Sequence, residues 1–182
     1  KDAPAEGTPA QRPIWETVKH HFAVSACILQ KDARIGKIIG FYSVVFAAHT
    51  LLFFYSQQYF ADFGYNKVQI SVIMLLVGGA SCFGALASEK MYRRFGKRCL
   101  IPETVIIAAA ILCYGAGKAG VTAAALMCAG FANAALYPIQ SDSLNALIPS
   151  EQRATLISVD SMCFSIAMIV LFPLAGAFAD RW

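Results

Sequence analysis

The sequence predicts an all-α, polytopic membrane protein with five transmembrane helices. Three observations carry that expectation. Hydrophobic residues make up 58% of the chain and charged residues only 14%. A soluble domain carries about a quarter charged residues, so too little polar surface is available to coat a water-exposed fold. Apolar stretches close to the ~20 residues that cross a ~30 Å hydrocarbon core recur at 38–60, 68–88, 101–117, 121–137 and 156–179. Basic residues gather in alternate connections, as in a chain threaded back and forth through a bilayer. The mean hydropathy of +0.57 agrees with all three.

Ahead of the spans, residues 1–13 are polar and rich in Ala, Pro and Gly, unlike the basic and then apolar profile of a signal peptide. Residues 14–37 form an amphipathic segment and lead-in. Its part at 14–29 mixes polar and apolar side chains behind Trp15, is too polar to span, and is expected to lie along the cytoplasmic interface. His20 and His21 stand side by side there, but adjacent helical positions point about 100° apart and do not face one ion together. Residues 38–182 then make up the transmembrane bundle.

The first span divides on a helical wheel. Tyr42, Ser43, Phe46, His49, Thr50, Phe53, Ser56 and Gln57 share an arc of about 140°, opposite Val44, Val45, Ala48, Leu51, Leu52 and Tyr55. An arc of aromatic and polar side chains suits a cavity that wets, stacks against and hydrogen-bonds a small solute; helix–helix hydrogen bonding is the blander use of the same residues. In the second span Ala80, Gly84 and Ser88 repeat every fourth position, a small-residue seam for close helix approach, and Gly78 and Gly79 add flexibility. The third span has no polar residue between Thr104 and Tyr114 and is expected to be peripheral and lipid-facing.

The fourth span carries the stripe Thr122, Leu126, Ala129, Asn133, Tyr137 and Gln140, and Pro138 near its end leaves that boundary open. Asn133 sits within the apolar run, where an unpaired amide would cost several kcal/mol, so it needs a partner on a helix, in water or on a ligand. The fifth span repeats the pattern with Ser158, Ser161, Ser165, Met168 and Phe172. Asp160 falls on a different face near that span's start. It reads as a structural or gating carboxylate before a substrate ligand, with proton carriage as a further role.

Charge sets the threading. Lys1, Arg12, Lys19, Lys31, Arg34 and Lys37 precede the first span; Lys90, Arg93, Arg94, Lys97 and Arg98 lie between the second and third; Arg153 precedes the fifth. The opposite side holds Lys67, Lys118 and Arg181, twelve against three. Basic residues stay in the cytoplasm, so the amino end is expected inside and the chain's end outside, in a multi-pass protein of the cell membrane. These charges flank apolar spans, so nucleic acid is not an expected partner; the lipid bilayer is. No HExxH, GxSxG or GxxxxGK[ST] occurs, and no catalytic residue or enzymatic activity is expected. Six cysteines (Cys27, Cys82, Cys99, Cys113, Cys128, Cys163) lie mostly inside spans without a paired CxxC, so no metal site, disulfide framework or cofactor is expected.

The loop after the second span reads Gly84-Ala-Leu-Ala-Ser-Glu-Lys-Met-Tyr-Arg-Arg-Phe-Gly-Lys-Arg98. It resembles the signature loop of the major facilitator superfamily, a small-residue helix end running into an acidic–basic turn and Arg-x-Gly-Arg/Lys. The usual Asp-Arg pair is replaced here by Ser88-Glu89-Lys90. The stretch Ile148-Pro-Ser-Glu-Gln-Arg153-Ala-Thr-Leu-Ile-Ser158 looks like that family's turn between its tenth and eleventh helices, and Pro173-Leu-Ala-Gly176-Ala-Phe-Ala-Asp180 like the end of the eleventh.

The resemblance implies a carboxy-terminal half covering helices seven to eleven of a six-plus-six bundle, with six helices before Lys1 and one after Trp182 as the missing partners. It implies a secondary active transporter that moves a small organic solute by alternating access around a midplane site; a drug-efflux pump driven by proton exchange is the narrower form. Tyr42, Phe46, His49, Thr50, Phe53, Gln57, Asn133, Tyr137, Ser161 and Ser165 are the expected cavity residues. Gly84, Glu89, Arg93, Arg94, Gly96, Arg98 and Arg153 are the expected gating-loop residues, and Asp160 the proton or gating carboxylate. The alternative is a non-transporting five-span scaffold or partner subunit.

Overall fold

The computed structural model describes residues 33–147 and 153–179, together with the isolated helical positions Trp15, Glu16, Lys19 and Ala23. The polar leader, the rest of the expected interfacial segment at 14–29, the start of the turn before Arg153 and Asp180 lie outside the described residues. Among the described residues every regular element is helical: α1 (Ala33–Asp62), α2 (Lys67–Phe95), a single 3₁₀ turn (Gly96–Cys99), α3 (Leu100–Tyr114), α4 (Ala119–Asn145) and α5 (Arg153–Ala179).

All but α3 are long and apolar enough to cross a membrane. Their outward faces confirm the solvent. Leu75, Phe83 and Leu86 on α2 and Ile169 on α5 are each at least 70% exposed, a surface that water would penalise and lipid accepts. The chain is a multi-pass membrane protein. At 15 residues α3 extends only about 22 Å, and a turn in which Gly117 adopts φ 62° follows it.

Two expectations change in detail. The fourth span does not stop at Pro138: α4 runs through it to Asn145. Proline withholds one N–H, but inside a bundle neighbouring groups can compensate, and Ile139, Gln140 and Leu144 beyond it are buried. The third span is peripheral on one side only. Ile107 and Ala110 are buried while Ile101, Val105 and Leu112 are exposed, so α3 presents a narrow inward seam.

Helix α4 is the hub. It packs along α2 and α3 and also meets α1, whereas α5 packs chiefly on α1. Leu126, Ala129, Ala132 and Leu136 of α4 are wholly buried. Helices α1 and α5 run parallel, with Tyr55 meeting Phe172 ring to ring at 5.8 Å. Helices α1 and α4 run antiparallel, since Phe46 meets Tyr137 near one end and Tyr59 meets Thr122 near the other.

The small residues of α2 meet α4 where its own small residue lies. A Cβ added to Gly84 would fall on the Phe131 carbonyl of α4, and one added to Gly130 would lie 2.9 Å from Ser81 Oγ and 3.1 Å from Val77 Cγ1. By contrast, Gly78 and Gly79 have open space where a side chain would project. The seam is therefore centred on Gly84, with Ser88 buried one turn further along.

The end of the bundle at the α1–α2 turn is closed by an aromatic and polar cluster. Tyr114 Oη donates to the Leu52 carbonyl (2.9 Å), Thr122 Oγ1 lies 3.1 Å from Tyr59 Oη, and the Tyr59 and Tyr114 rings are 4.8 Å apart. Helix α2 then starts on a reciprocal cap. Gln69 N–H donates to Asn66 Oδ1 (3.0 Å) and Asn66 N–H to Gln69 Oε1 (2.9 Å), which satisfies two of the donors a helix start leaves open. Asn66→Ala should lower the unfolding free energy by about 0.5–2 kcal/mol without changing the helical content, checked by denaturant titration followed by circular dichroism. An unshifted titration would show that the cap carries no stability.

Candidate functional site: a cavity among three helices

Helices α1, α4 and α5 line an open cavity of about 370 Å³. Ser43, Phe46 and Thr50 line it from α1, Asn133 and Tyr137 from α4, and Asp160, Ser161, Phe164 and Ser165 from α5. Each set follows from helical spacing. Positions three and four apart share a face, so one wall of each helix contributes side chains to the same space. The size lies at the lower end of the range for small-molecule sites.

The polar groups of this wall are not equally available. Thr50 Oγ1 donates to the Phe46 carbonyl (2.7 Å), Ser161 Oγ to Ile157 O (2.9 Å) and Ser165 Oγ to Ser161 O (2.8 Å). These hydroxyls spend their hydrogens on their own helix, the usual way to satisfy serine and threonine within a span. Gln140, 2% exposed on α4, donates its Nε2–H to Asp160 Oδ1 at 2.9 Å and so ties α4 to α5 at the cavity edge. Ser43 Oγ and Asn133 Oδ1 are buried without a hydrogen-bond partner among the described residues. A buried polar group left in that state costs on the order of 1–3 kcal/mol, so two residues of the cavity lining carry unmet hydrogen-bonding capacity. The Phe46 and Tyr137 rings lie 5.8 Å apart and tilted, giving that edge an aromatic surface.

Six of the expected cavity residues come together here: Phe46, Thr50, Asn133, Tyr137, Ser161 and Ser165. Four do not line it. Tyr42 is 3% exposed within the core, Phe53 packs against that core, and Gln57 faces outward. His49 Nε2 is buried without a partner among the described residues, yet the ring is not part of the wall. A single helix face some 140° across meets both the packed core and the cavity, and only the side of it that carries Phe46, Thr50 and Ser43 reaches the opening.

The α4 stripe divides in the same way. Thr122, Leu126 and Ala129 are wholly buried in packing, and only Asn133 and Tyr137 reach the cavity. Asp160 requires a correction. It lines the same space as Ser161 and Ser165 instead of occupying a separate face. At about 100° per residue, positions 160, 164, 161 and 165 spread over an arc of about 140°, and a wall facing two helices uses all of it. Phe164 was not anticipated, although its place one turn after Asp160 and Ser161 was a usable signal.

Of the expected gating-loop residues, Gly84, Glu89, Arg93 and Arg94 lie in α2, Gly96 and Arg98 in the 3₁₀ turn and Arg153 at the start of α5, and none of them lines the cavity. Gly84 is buried in the seam against α4, which gives it a packing role there. Glu89 and Arg93 approach to 3.9 Å, one helical turn apart and both largely exposed, and such a pair holds little energy. The Arg94 guanidinium lies 5.7 Å from the Phe95 ring. Gly96 ends α2 at φ 56° with its N–H bonded to Tyr92 O, a backbone state that favours glycine. Arg98 and Arg153 are exposed.

A family model described as Major Facilitator Superfamily matches residues 38–182, which takes in every described helix from the first turns of α1 onward. No curated protein and no solved structure matches the chain.

Proposed function

Because this chain belongs to the major facilitator superfamily, whose members are membrane transporters of small molecules and not enzymes, we propose that the cavity among α1, α4 and α5 is part of a solute path worked by alternating access. The solute is a small organic molecule. The observation that carries this reading is the pairing of Ser43 Oγ and Asn133 Oδ1, both buried and without a partner among the described residues, with an aromatic edge in one cavity. Polar groups left open inside a span are expensive unless a ligand, water or another helix completes them.

Several finer features belong to the same reading. Tyr137, Ser161 and Ser165 are exposed at the cavity mouth, so a second helical half is the natural cover and would complete the site at the bundle midplane. The stretch from Gly84 to Arg98, the end of α2 and the 3₁₀ turn, forms the cytoplasmic gate with Arg153 at the start of α5, and the basic residues hold that end on the cytoplasmic side of the cell membrane. Asp160 is the carboxyl in the cavity wall and hence the residue through which movement would be coupled to protons. Export of drugs fits the mixed aromatic and polar lining. The alternative, a membrane scaffold that moves nothing, leaves the two open polar atoms without a use.

The test is transport by the full-length protein in proteoliposomes, across a panel of labelled solutes, with variants checked for monodispersity. For any solute the wild type carries, Asn133→Leu combined with Phe46→Ala should lower the initial rate at least tenfold, while Gln57→Ala stays within twofold. Equal rates for the cavity variant and the wild type would remove the site; a wild type inert towards every solute, with a partner protein losing its membrane placement on deletion, would favour the scaffold.

A further inference from the structure

Among the nine residues that line the cavity, Asp160 supplies the single carboxyl, and neither lysine, arginine nor histidine is present. Its Oδ1 takes the Gln140 N–H, and no other donor among the described residues bonds this carboxyl. The neighbouring hydroxyls lean the same way. With their hydrogens committed to backbone carbonyls, Thr50, Ser161 and Ser165 have only oxygen lone pairs left to offer. The aromatic edge of Phe46 and Tyr137 adds ring faces, which attract cations and give anions nothing in return. Donors are not lacking, since Ser43 and Asn133 have hydrogens to give, but none of them is charged.

From this we infer that the cavity selects a solute with a single positive charge carried on a hydrogen-bond-donating head, such as a protonated amine, joined to a flat apolar or aromatic body. The head sits against Asp160 and the serine oxygens of α5, and the body lies along Phe46 and Tyr137. This rests on the cavity being a solute site, and it adds the charge and shape of the solute. An anionic solute of the same size would meet a carboxyl and a row of lone pairs without a cation to balance it, and such like-charge contact in a partly desolvated site is strongly unfavourable.

Three soluble fluorescent probes that share one ring system separate these possibilities: 2-(1-naphthyl)ethylammonium, 2-(1-naphthyl)ethanol and 1-naphthaleneacetate. Their binding to the full-length protein in nanodiscs of zwitterionic phosphatidylcholine is measured by equilibrium dialysis at neutral pH, with empty nanodiscs subtracted. The ammonium should bind at least tenfold more tightly than the alcohol, and the carboxylate more weakly still. Asp160→Asn retains an oxygen for the Gln140 N–H and nearly the same volume. It should cost the ammonium about tenfold and leave the alcohol within twofold.

If the three probes bind alike, or the carboxylate binds best, and binding is lost in Asn133→Leu, the charge preference is overturned while the cavity stands as a site. If no probe binds saturably, or Asn133→Leu changes nothing, the preference and the site fall together. The wild-type comparison needs no substitution, so a poorly folded variant does not rescue the inference.

Discussion

Gly84→Leu should yield no monodisperse protein, whereas Gly78→Ala, six residues earlier on the same helix, should purify as the wild type does. Both positions lie in α2, and both replacements improve local helix propensity. What separates them is the other side of the helix. At Gly84 the first added carbon would overlap the Phe131 carbonyl, a backbone group of α4 that cannot rotate away as a side chain could. Helix α4 would have to move outward, and it is the helix against which α1, α2 and α3 all pack. Overpacking a tight contact costs about 1–3 kcal/mol per modest enlargement, and a leucine adds four carbons where the first already collides. Gly78 faces open space, so a methyl there restores about 0.5–1 kcal/mol of helix stability. Size-exclusion profiles in detergent and thermal melts read both outcomes. A well-behaved Gly84→Leu protein would show that α2 and α4 are not held at the separation described.

Gln140→Leu should be the next most damaging single change, and its cost should largely disappear when Asp160 is also replaced by leucine. Gln140 is almost fully buried and its amide hydrogen is the one side-chain donor to Asp160 among the described residues. Removing it leaves a half-buried carboxyl without that partner, a loss on the order of 1–3 kcal/mol. Removing both groups takes away the polar pair together and replaces it with apolar volume, which can be nearly neutral. The two single variants and the double variant form a cycle whose coupling should fall within ~0.5–3 kcal/mol, read from unfolding curves in mixed micelles. Strict additivity would mean that the bond between α4 and α5 contributes nothing to stability. Transport should fall in the double variant even where stability returns, because Asp160 lies in the cavity wall.

These two expectations also show where sequence reading reached its limit. The small-residue spacing of Ala80, Gly84 and Ser88 announced a close approach, and Gly84 does make one. Which backbone group it would meet, Phe131 O on α4, depends on how two helices distant in sequence cross. Asp160 was legible as an expensive residue but not as a cavity residue, because a wheel drawn for one helix has no knowledge of how many neighbours its face serves. His49 illustrates the opposite error. The histidine on the polar arc of α1 looked central to a site, and in the structure its Nε2 is enclosed while the half-buried residue does not line the cavity. Pro138 left the end of its helix open in the sequence: in water it would end a helix, but within a packed bundle the turns after it keep enough buried contact for the helix to continue.

Hydropathy and charge are local properties, and the bilayer reads them segment by segment. The apolar lengths and the rows of basic residues were therefore enough by themselves to determine a helical multi-pass membrane protein, and the stretches 84–98, 148–158 and 173–180, taken in order, were enough to point to its family. Rotation and crossing of helices are not local. They are decided by how side chains on separate segments fit, by the absent Cβ of Gly84 and by the Gln140–Asp160 bond. For that reason only the tertiary structure could bring Ser43, Asn133 and Asp160 around one space and leave His49 and Gln57 out of it.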